Sequence, residues 1–494
     1  MILLAFVVVA LLALASVAAG SDHRKMNAAC IIHAFLYVVL TLYVLLFLQL
    51  PVSSFLVGSQ YFFMDRFGLF EVLIASVVFT CAAVYAGGYV ESLLASGELE
   101  KGSLKLFYAS WTLLLLILVL AFFCDNLALF WICAELTTIL SAVLVAILAA
   151  RENIDAAVKY IFIASASMLF TFVGLIFLFE TSRTVMGAGT LNWTILVQHA
   201  PAFPSEMVLA AFALVFIGFA AKSGIFPFHT WLPEAHAKAP SAVSAILSAV
   251  LLNVGMYGIL RVWAIAHQTA AAGIISLFIG LFGFLTVGIA AISMLPEKNL
   301  KKLVAFSSIE NMGILLIGMA VATPVAIFWV LFHVMAHSLT KASLFFSAGI
   351  LHRQYRSHLS ADAVDEIRDV FRFQPLAAWG IITGALAIAG MPLFPVFFSK
   401  LFILLQLGMV SPAALFVLLV LLFIAAAALG YFVITAFSVI SAPGTGPDVT
   451  PYLTPLTMKL PVIFLLGLIL IAGTIFLPGE VSFFDRIVQE LMFR

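Results

Sequence analysis

Apolar runs of membrane-crossing length recur along the whole chain, separated by short polar links, and this pattern leaves few folds open. Fourteen runs can be marked, at roughly 1–20, 27–50, 67–90, 104–123, 126–149, 156–179, 206–228, 239–262, 270–295, 300–321, 324–351, 374–405, 411–440 and 459–477. About 20 apolar residues in a helix cross a bilayer. In hydrocarbon only helices and closed barrels satisfy their backbone polar groups, and nothing here has the alternation of a strand-rich barrel. The expectation is an all-α polytopic membrane protein with fourteen transmembrane helices.

Composition supports that solvent. The 494 residues are 65% hydrophobic and 9% charged, against roughly 25% charged in a soluble domain. Formal net charge is zero, so no basic footprint points to nucleic acid. Cys30, Cys81, Cys124 and Cys133 form no CxxC, which argues against a disulfide framework or a metal knuckle. The first run lacks the basic n-region of a signal peptide, and the cations of "SDHRK" follow it; it reads as a retained helix.

The loops carry a charge bias. Of the 23 Lys and Arg, four (Lys159, Lys222, Lys341, Lys400) fall within or at the edge of spans. The remaining nineteen divide fourteen to five in favour of the side bearing the odd-numbered loops, 1–2 through 13–14. The positive-inside rule then puts both termini on the non-cytoplasmic side. The charged loop "LHRQYRSHLSADAVDEIRDVFRF" is expected to form a short amphipathic surface helix.

Two spans are interrupted. Span 7 runs into "AAKSGIFPFHTWLP", with Pro227, and span 12 contains "IAGMPLFPVFFSK", with Gly390, Pro392 and Pro395. Each break has a lysine nearby. The breaks lie five helices apart, an odd number, so equivalent helices of two five-helix units would point in opposite directions. Paired broken helices in inverted repeats mark transport sites. The organisation expected is an N-terminal group of spans 1–3 (1–103), a first repeat of spans 4–8 (104–262), a second of spans 9–13 (270–440), and span 14 with the tail (441–494).

Ionisable residues inside the spans carry the chemistry. A charge at the bilayer centre costs ~2.5–3.5 kcal/mol on insertion scales, so each needs a partner, water or a neutral state. Glu135, in "LFWICAELTTIL", and Lys222, ahead of the first break, are expected to face each other as an ion pair whose charge state can be switched; a fixed structural salt bridge is the alternative. Span 11 reads "FHVMAHSLTKASLFF", and His333, His337 and Lys341 recur every four residues as one stripe. The lysine would repel a metal, so a proton wire is favoured over zinc; buried structural histidines are the plainer reading. Lys400 closes the second broken helix, as the terminal group of a proton path or as a snorkelling lysine. Glu310 is a weaker candidate in span 10, with Ser307, Ser308 and Asn311 able to hydrate a path. Lys159 either snorkels or supports Glu135, and Lys298, Lys301 and Lys302 are expected as interfacial anchors. His229 and His236 follow the first break and either line a cavity or bond exposed carbonyls.

The same residues carry a family resemblance. "NLALFWICAELTT", "AAVKYIFIASAS", "KSGIFPFHTWLPEAHAKAPSAVSAILS", "KKLVAFSSIENMG", "FHVMAHSLTKASLFFSAG" and "AGMPLFPVFFSK" run from about Asn126 to Lys400. In these motifs the chain resembles the antiporter-like membrane subunits of complex I, membrane-bound hydrogenases and multisubunit Na+/H+ antiporters. The resemblance implies fourteen helices with two inverted five-helix repeats and proton translocation along a hydrophilic axis in mid-membrane. It implies that Glu135 pairs with Lys222, that Lys341 is the central lysine, and that Lys400 is the exit group. One departure stands out: where many members have a lysine in span 8, this chain reads "LLNVGMYG", with Asn253. That asparagine, "AFSSIENMG" and "HSLTKASLFF" are similar to the hydrogenase-4 component F branch.

The resulting expectation is a proton-translocating subunit of a group 4 hydrogenase or complex I type assembly in a prokaryotic inner membrane. It would move H+, with Na+ as the alternative ion, while electron transfer proceeds elsewhere. The chain has no Cys cluster for Fe–S and no dinucleotide-binding loop. Fe–S and NiFe, or flavin, are therefore expected in partner subunits of a peripheral redox arm. A subunit of an NADH:quinone oxidoreductase or of a multisubunit Na+/H+ antiporter is a close alternative. A stand-alone solute transporter belongs to another class; it would work alone in liposomes, whereas a complex subunit co-purifies with partners.

Overall fold

The computed structural model describes residues 2–53, 61–148, 150–355, 370–440, 452–475 and 478–493. In chain order the helices are α1 (Ile2–Ala19), α2 (His23–Phe47), α3 (Arg66–Ser96), α4 (Leu104–Phe122), α5 (Leu127–Val145), α6 (Arg151–Met186), α7 (Trp193–His199), α8 (Ser205–Lys222), α9 (Trp231–Lys238) and α10 (Ser241–Ile246). A π turn, Leu247–Leu251, joins α10 to α11 (Leu252–Ala266). Then follow α12 (Ala272–Met294), α13 (Leu300–Val321), α14 (Pro324–Tyr355), α15 (Val370–Phe373), α16 (Pro375–Ala389), α17 (Pro395–Val410), α18 (Pro412–Ile440), α19 (Leu456–Thr474) and α20 (Pro478–Met492). Two residues each of β1 (Val52–Ser53) and β2 (Phe63–Met64) pair antiparallel.

Among the described residues, thirteen helices are long and apolar enough to cross a membrane. Two shorter apolar helices, α16 and α17, stand where the sequence marks one interrupted span. The surface helix expected across 351–373 falls largely outside the described residues; only α14's last turn and the single turn of α15 are seen there.

Polar side chains set several helix starts. Asp65 accepts from Gly68 N at 2.8 Å at the head of α3. Asn126 accepts from Ala128 and Leu129 N at the head of α5, and Asn299 from Lys302 N at the head of α13. Such caps supply partners for backbone groups that a helix start leaves open.

Packing places one helix at the centre. The segment 241–266, α10 through α11, has every residue of its apolar window buried. It lies against α3, α5, α8 and α14. By contrast α6, α12 and α18 turn large apolar side chains outward, among them Phe162, Leu277 and Phe416, as helices bordering lipid do. Where α12 meets α13 the contact is glycine on glycine: a Cβ on Gly313 would lie 2.9 Å from the Gly283 carbonyl oxygen, and one on Gly283 3.0 Å from that of Gly313. At the other end of the chain, α20 buries Phe484, Ile487, Val488 and Leu491 against α14, α3 and α11. It is pinned by Glu490, which takes Arg66 Nη1 at 2.5 Å.

Candidate functional site: a chain of buried ionisable groups

The two breaks free backbone carbonyls inside the bundle, and protein groups take them up. After α8 ends at Lys222, the chain turns through Gly224 (φ 66) and Pro227 before α9. The Trp231 indole donates to Ala221 O at 2.8 Å. Between α16 and α17 the chain passes through Gly390 (φ 88), Pro392 and Leu393 (φ 81), and Pro395 opens α17. A β-carbon strains a left-handed backbone, which favours glycine at the first of these positions. Here the freed carbonyl, Ile388 O, accepts from Lys400 Nζ at 3.0 Å.

Lys400 has a second partner: its Nζ lies 2.9 Å from Glu310 Oε1. Both groups are buried, and Asn311 Nδ2 donates to the other Glu310 oxygen. Two candidates treated separately in the sequence therefore form one buried ion pair bridging α13 and α17. Lys400 does not snorkel.

Lys341 is fully buried. Its Nζ donates to Val304 O at 2.7 Å and to Ser307 Oγ, both on α13. Beside them a cavity is lined by Val304, Ser307 and Ile388, so it adjoins the partners of both Lys341 and Lys400. Ser308, next to Ser307, shares a hydrogen bond with Ser248 of the π turn at 2.8 Å. On the same stripe of α14, the His333 and His337 rings stand 6.5 Å apart and nearly parallel. His333 Nδ1 shares a hydrogen bond with Ser399 Oγ at 2.7 Å, one residue before Lys400. His333 Nε2 and both nitrogens of His337 have no protein partner.

Lys222 is buried as well. Its expected ion pair with Glu135 is not formed: no contact within 4 Å joins them, and Lys222 Nζ donates to Thr138 Oγ1 at 2.8 Å, one turn along α5 from Glu135. Glu135 is half-buried, and its Oε2 accepts from Ser165 Oγ at 2.9 Å. The reason is rotational. Glu135 points toward α6, while Thr138, three residues on, meets α8. The supporting role considered for Lys159 is not seen either: Lys159 is exposed on α6, and Ser165 holds that place. The neighbouring Tyr160 is the buried one, sharing a hydrogen bond with Ser141 Oγ at 2.9 Å.

His229 and His236 are buried. His229 Nδ1 and both nitrogens of His236 have no protein partner, so the His236 ring does not bond an exposed carbonyl; it stacks on Phe345 of α14 at 4.6 Å. Lys301, expected as an interfacial anchor, is buried and donates to Ala239 O at 3.0 Å. Lys302 pairs with Glu234 at 2.7 Å, and Lys298 is exposed.

Sequence reasoning passed over Glu71. It is 2% exposed on α3, and Asn253 Nδ2 donates to its Oε2 at 3.1 Å. The same amide nitrogen donates to Ser338 Oγ at 3.1 Å. A signal was present: Glu71 is the single charged residue between Arg66 and Glu91, and an ionisable group inside a span is a functional candidate by default. Also unread was Arg261, whose Nη2 lies 2.7 Å from Asp65 Oδ2 and whose guanidinium sits over the Trp193 ring at 4.3 Å. Among the described residues no group of three or more His, Cys, Asp or Glu could hold a metal ion.

A bundle of apolar helices with two broken helices and buried lysines is the build of an antiporter-like membrane protein. Residues 124–426 match the family described as NADH:quinone oxidoreductase/Mrp antiporter, TM, and the chain belongs to that family. It is 31% identical over 370 residues to the hydrogenase-4 component F homolog of Methylacidiphilum infernorum (isolate V4), covering 74% of this chain and 76% of that one. Hydrogenase-4 component B of Escherichia coli (strain K12) is 28% identical over 342 residues, 67% of this chain and 48% of that relative. In fold the chain is similar to one in the membrane-bound sulfane sulfur reductase (MBS), an archaeal respiratory membrane complex, with a TM-score of 0.84, 20% identity and 99% of each chain covered. A chain of the Mrp complex from Dietzia sp. DQ12-45-1b gives a TM-score of 0.82 at 19% identity, over 99% of this chain and 97% of that one.

Proposed function

We propose that the chain is the proton-translocating subunit of a membrane complex of the group 4 hydrogenase type, moving H+ along a mid-membrane axis through Glu135, Lys222, Lys341, His337, His333, Lys400 and Glu310. In this reading the thirteen long helices and the pair α16 and α17 make fourteen spans. Spans 4–8 and 9–13 are inverted repeats, one broken between α8 and α9, the other between α16 and α17. Both termini face away from the cytoplasm. Electron transfer takes place in partner subunits, which hold the Fe–S and NiFe centres or a flavin, and neighbouring membrane subunits deliver the driving energy.

One observation carries the reading. Lys222, Lys341 and Lys400 are all buried, and of these three only Lys400 touches a carboxylate. Lys222 and Lys341 rest on hydroxyl and carbonyl oxygens. An ammonium held by neutral acceptors in a low dielectric responds strongly to any change in a nearby charge. Charge arriving at Glu135 or Glu310 would therefore be felt at the next lysine along. The unpartnered nitrogens of His337 lie on the stripe between Lys341 and His333, where imidazoles can both take and give a proton.

The test uses the whole complex in inverted membrane vesicles. With Lys222→Ala, proton uptake per electron delivered to the natural acceptor should collapse, while reduction of an artificial acceptor by the redox arm continues. Wild-type proton uptake in that variant would defeat the assignment. Uptake that requires added Na+, with labelled sodium moving in the same vesicles, would change the ion and keep the axis.

A further inference from the structure

We propose that Glu71, which lies on α3 outside the two broken-helix units, is a proton-carrying group of the same axis and works with Asn253. The inference rests on the proton-translocating reading above and adds a residue to it. The structure brings Glu71 to the midpoint of the buried segment 241–266, because Asn253 stands there and holds its carboxyl by a 3.1 Å hydrogen bond.

Glu71 differs from the other deeply buried carboxylates, of which Asp125 accepts from both the backbone N and the hydroxyl of Thr194. Asp65 has Arg261 and Glu310 has Lys400, whereas among the described residues no ion pair forms to Glu71. A carboxyl group in apolar surroundings with no cation beside it costs least with its proton on. Such a group stores a proton and gives it up only when a positive charge comes near. A structural carboxylate has no need of that property, and an apolar residue would fill the place at no electrostatic cost.

Its partner suits both protonation states. Asn253 is fully buried. Both N–H bonds of its Nδ2 are used, one to Glu71 Oε2 and one to Ser338 Oγ, while its Oδ1 has no protein partner. A half-turn of the amide exchanges these roles. Oδ1 has two lone pairs and would then accept from a Glu71 carboxylic acid and from the Ser338 hydroxyl. One side chain thus serves the carboxylate in one orientation and the acid in the other. A lysine ammonium at 253 could only donate and could not accept the O–H of the acid.

The link to the axis runs through α14. Ser338 follows His337 and precedes Lys341 by three residues, a spacing that puts Ser338 and Lys341 on one face of a helix. In the step proposed, an N–H bond of the Lys341 ammonium breaks and an O–H bond forms at Glu71. Ser338 and Glu71 share the Asn253 amide, which ties α14 to the carboxyl, and no electron is transferred. The π turn at 247–251 directly precedes Asn253 on α11, and π turns are frequent at functional sites.

The experiment compares Glu71→Gln, Glu71→Asp, Asn253→Leu and Lys222→Ala in the full complex in inverted vesicles. Glu71→Gln should lower protons moved per electron roughly tenfold or more, and Glu71→Asp should restore a measurable part. A carboxylic acid C=O band in the redox-induced infrared difference spectrum should vanish in Glu71→Gln and shift in Asn253→Leu, a change that a packing role would not produce. Normal pumping by Glu71→Gln, or an unchanged band, overturns the assignment. Should Glu71→Gln fail to assemble, Asn253→Leu decides: it keeps the carboxyl and removes its amide, so undiminished pumping with an unshifted band rejects the proposal. Normal pumping by Glu71→Gln alongside loss in Lys222→Ala would reject Glu71 alone, whereas normal pumping by Lys222→Ala would reject the axis itself.

Discussion

Lys400 Nζ sits 2.9 Å from Glu310 Oε1 with both groups buried, so α17 and α13 are joined by an ion pair inside the bundle. The second helix break makes this possible. It frees the Ile388 carbonyl, which takes another of the ammonium's hydrogens. The pair, the carbonyl and Asn311 together satisfy charges that would otherwise be costly in hydrocarbon.

Removing one member strands the other. Lys400→Met and Glu310→Gln should each destabilise the purified complex by about 3 kcal/mol or more. The double variant should recover part of that loss, with a coupling of roughly 1–3 kcal/mol in a double-mutant cycle. Thermal or denaturant unfolding of the four proteins measures it; additive losses would mean the two groups do not interact.

Thr138 holds the Lys222 ammonium at 2.8 Å. Thr138→Val keeps the shape and removes the acceptor, and hydrogen bonds to charged groups contribute about 1.5–3 kcal/mol. Proton movement per electron is expected to fall about tenfold, on the scale of 1.4 kcal/mol per decade. Thr138→Ser, which keeps the hydroxyl, should stay close to wild type.

Arg261 is enclosed by Asp65, the Tyr257 hydroxyl at 2.7 Å and the Trp193 ring. Arg261→Met leaves Asp65 charged and buried, and the expected loss is about 3–5 kcal/mol. Asp65→Asn keeps the cap on α3 that Asp65 makes through Gly68 and should cost less than Arg261→Met. The comparison is made by the shift in unfolding midpoint.

The α12 and α13 backbones approach through Gly283 and Gly313. Gly313→Val places branched carbon against a carbonyl oxygen that cannot move without shifting a helix. Overpacking of this kind costs about 1–3 kcal/mol. The thermal midpoint should drop, and Gly288→Ala, whose added carbon would meet only Leu421 side-chain atoms at 3.8 Å, should leave it unchanged.

Much of this molecule was legible without coordinates. The membrane solvent follows from the spacing of charge along the chain, and both helix breaks from Gly and Pro in otherwise apolar runs. The stripe of His333, His337 and Lys341 followed from a four-residue repeat. What sequence could not give was partnership. Glu135 and Lys222 were expected to touch and do not, while Glu310 and Lys400 touch and were not paired in advance. Glu71 went unread although its run contains no other charge.

The physical reason lies in the helices themselves. A half-buried helix in water carries an apolar stripe that tells which face turns inward. The central segment 241–266 is apolar nearly all round and buried along its whole window, so periodicity says nothing about its rotation. By itself, then, the sequence determined the class of protein, the places where helices break and some of the charges that are hidden, Lys222, Lys341 and Lys400 among them. Only tertiary structure decided which hidden charge meets which, because a few tens of degrees about a helix axis exchange Thr138 for Glu135 as the neighbour of Lys222.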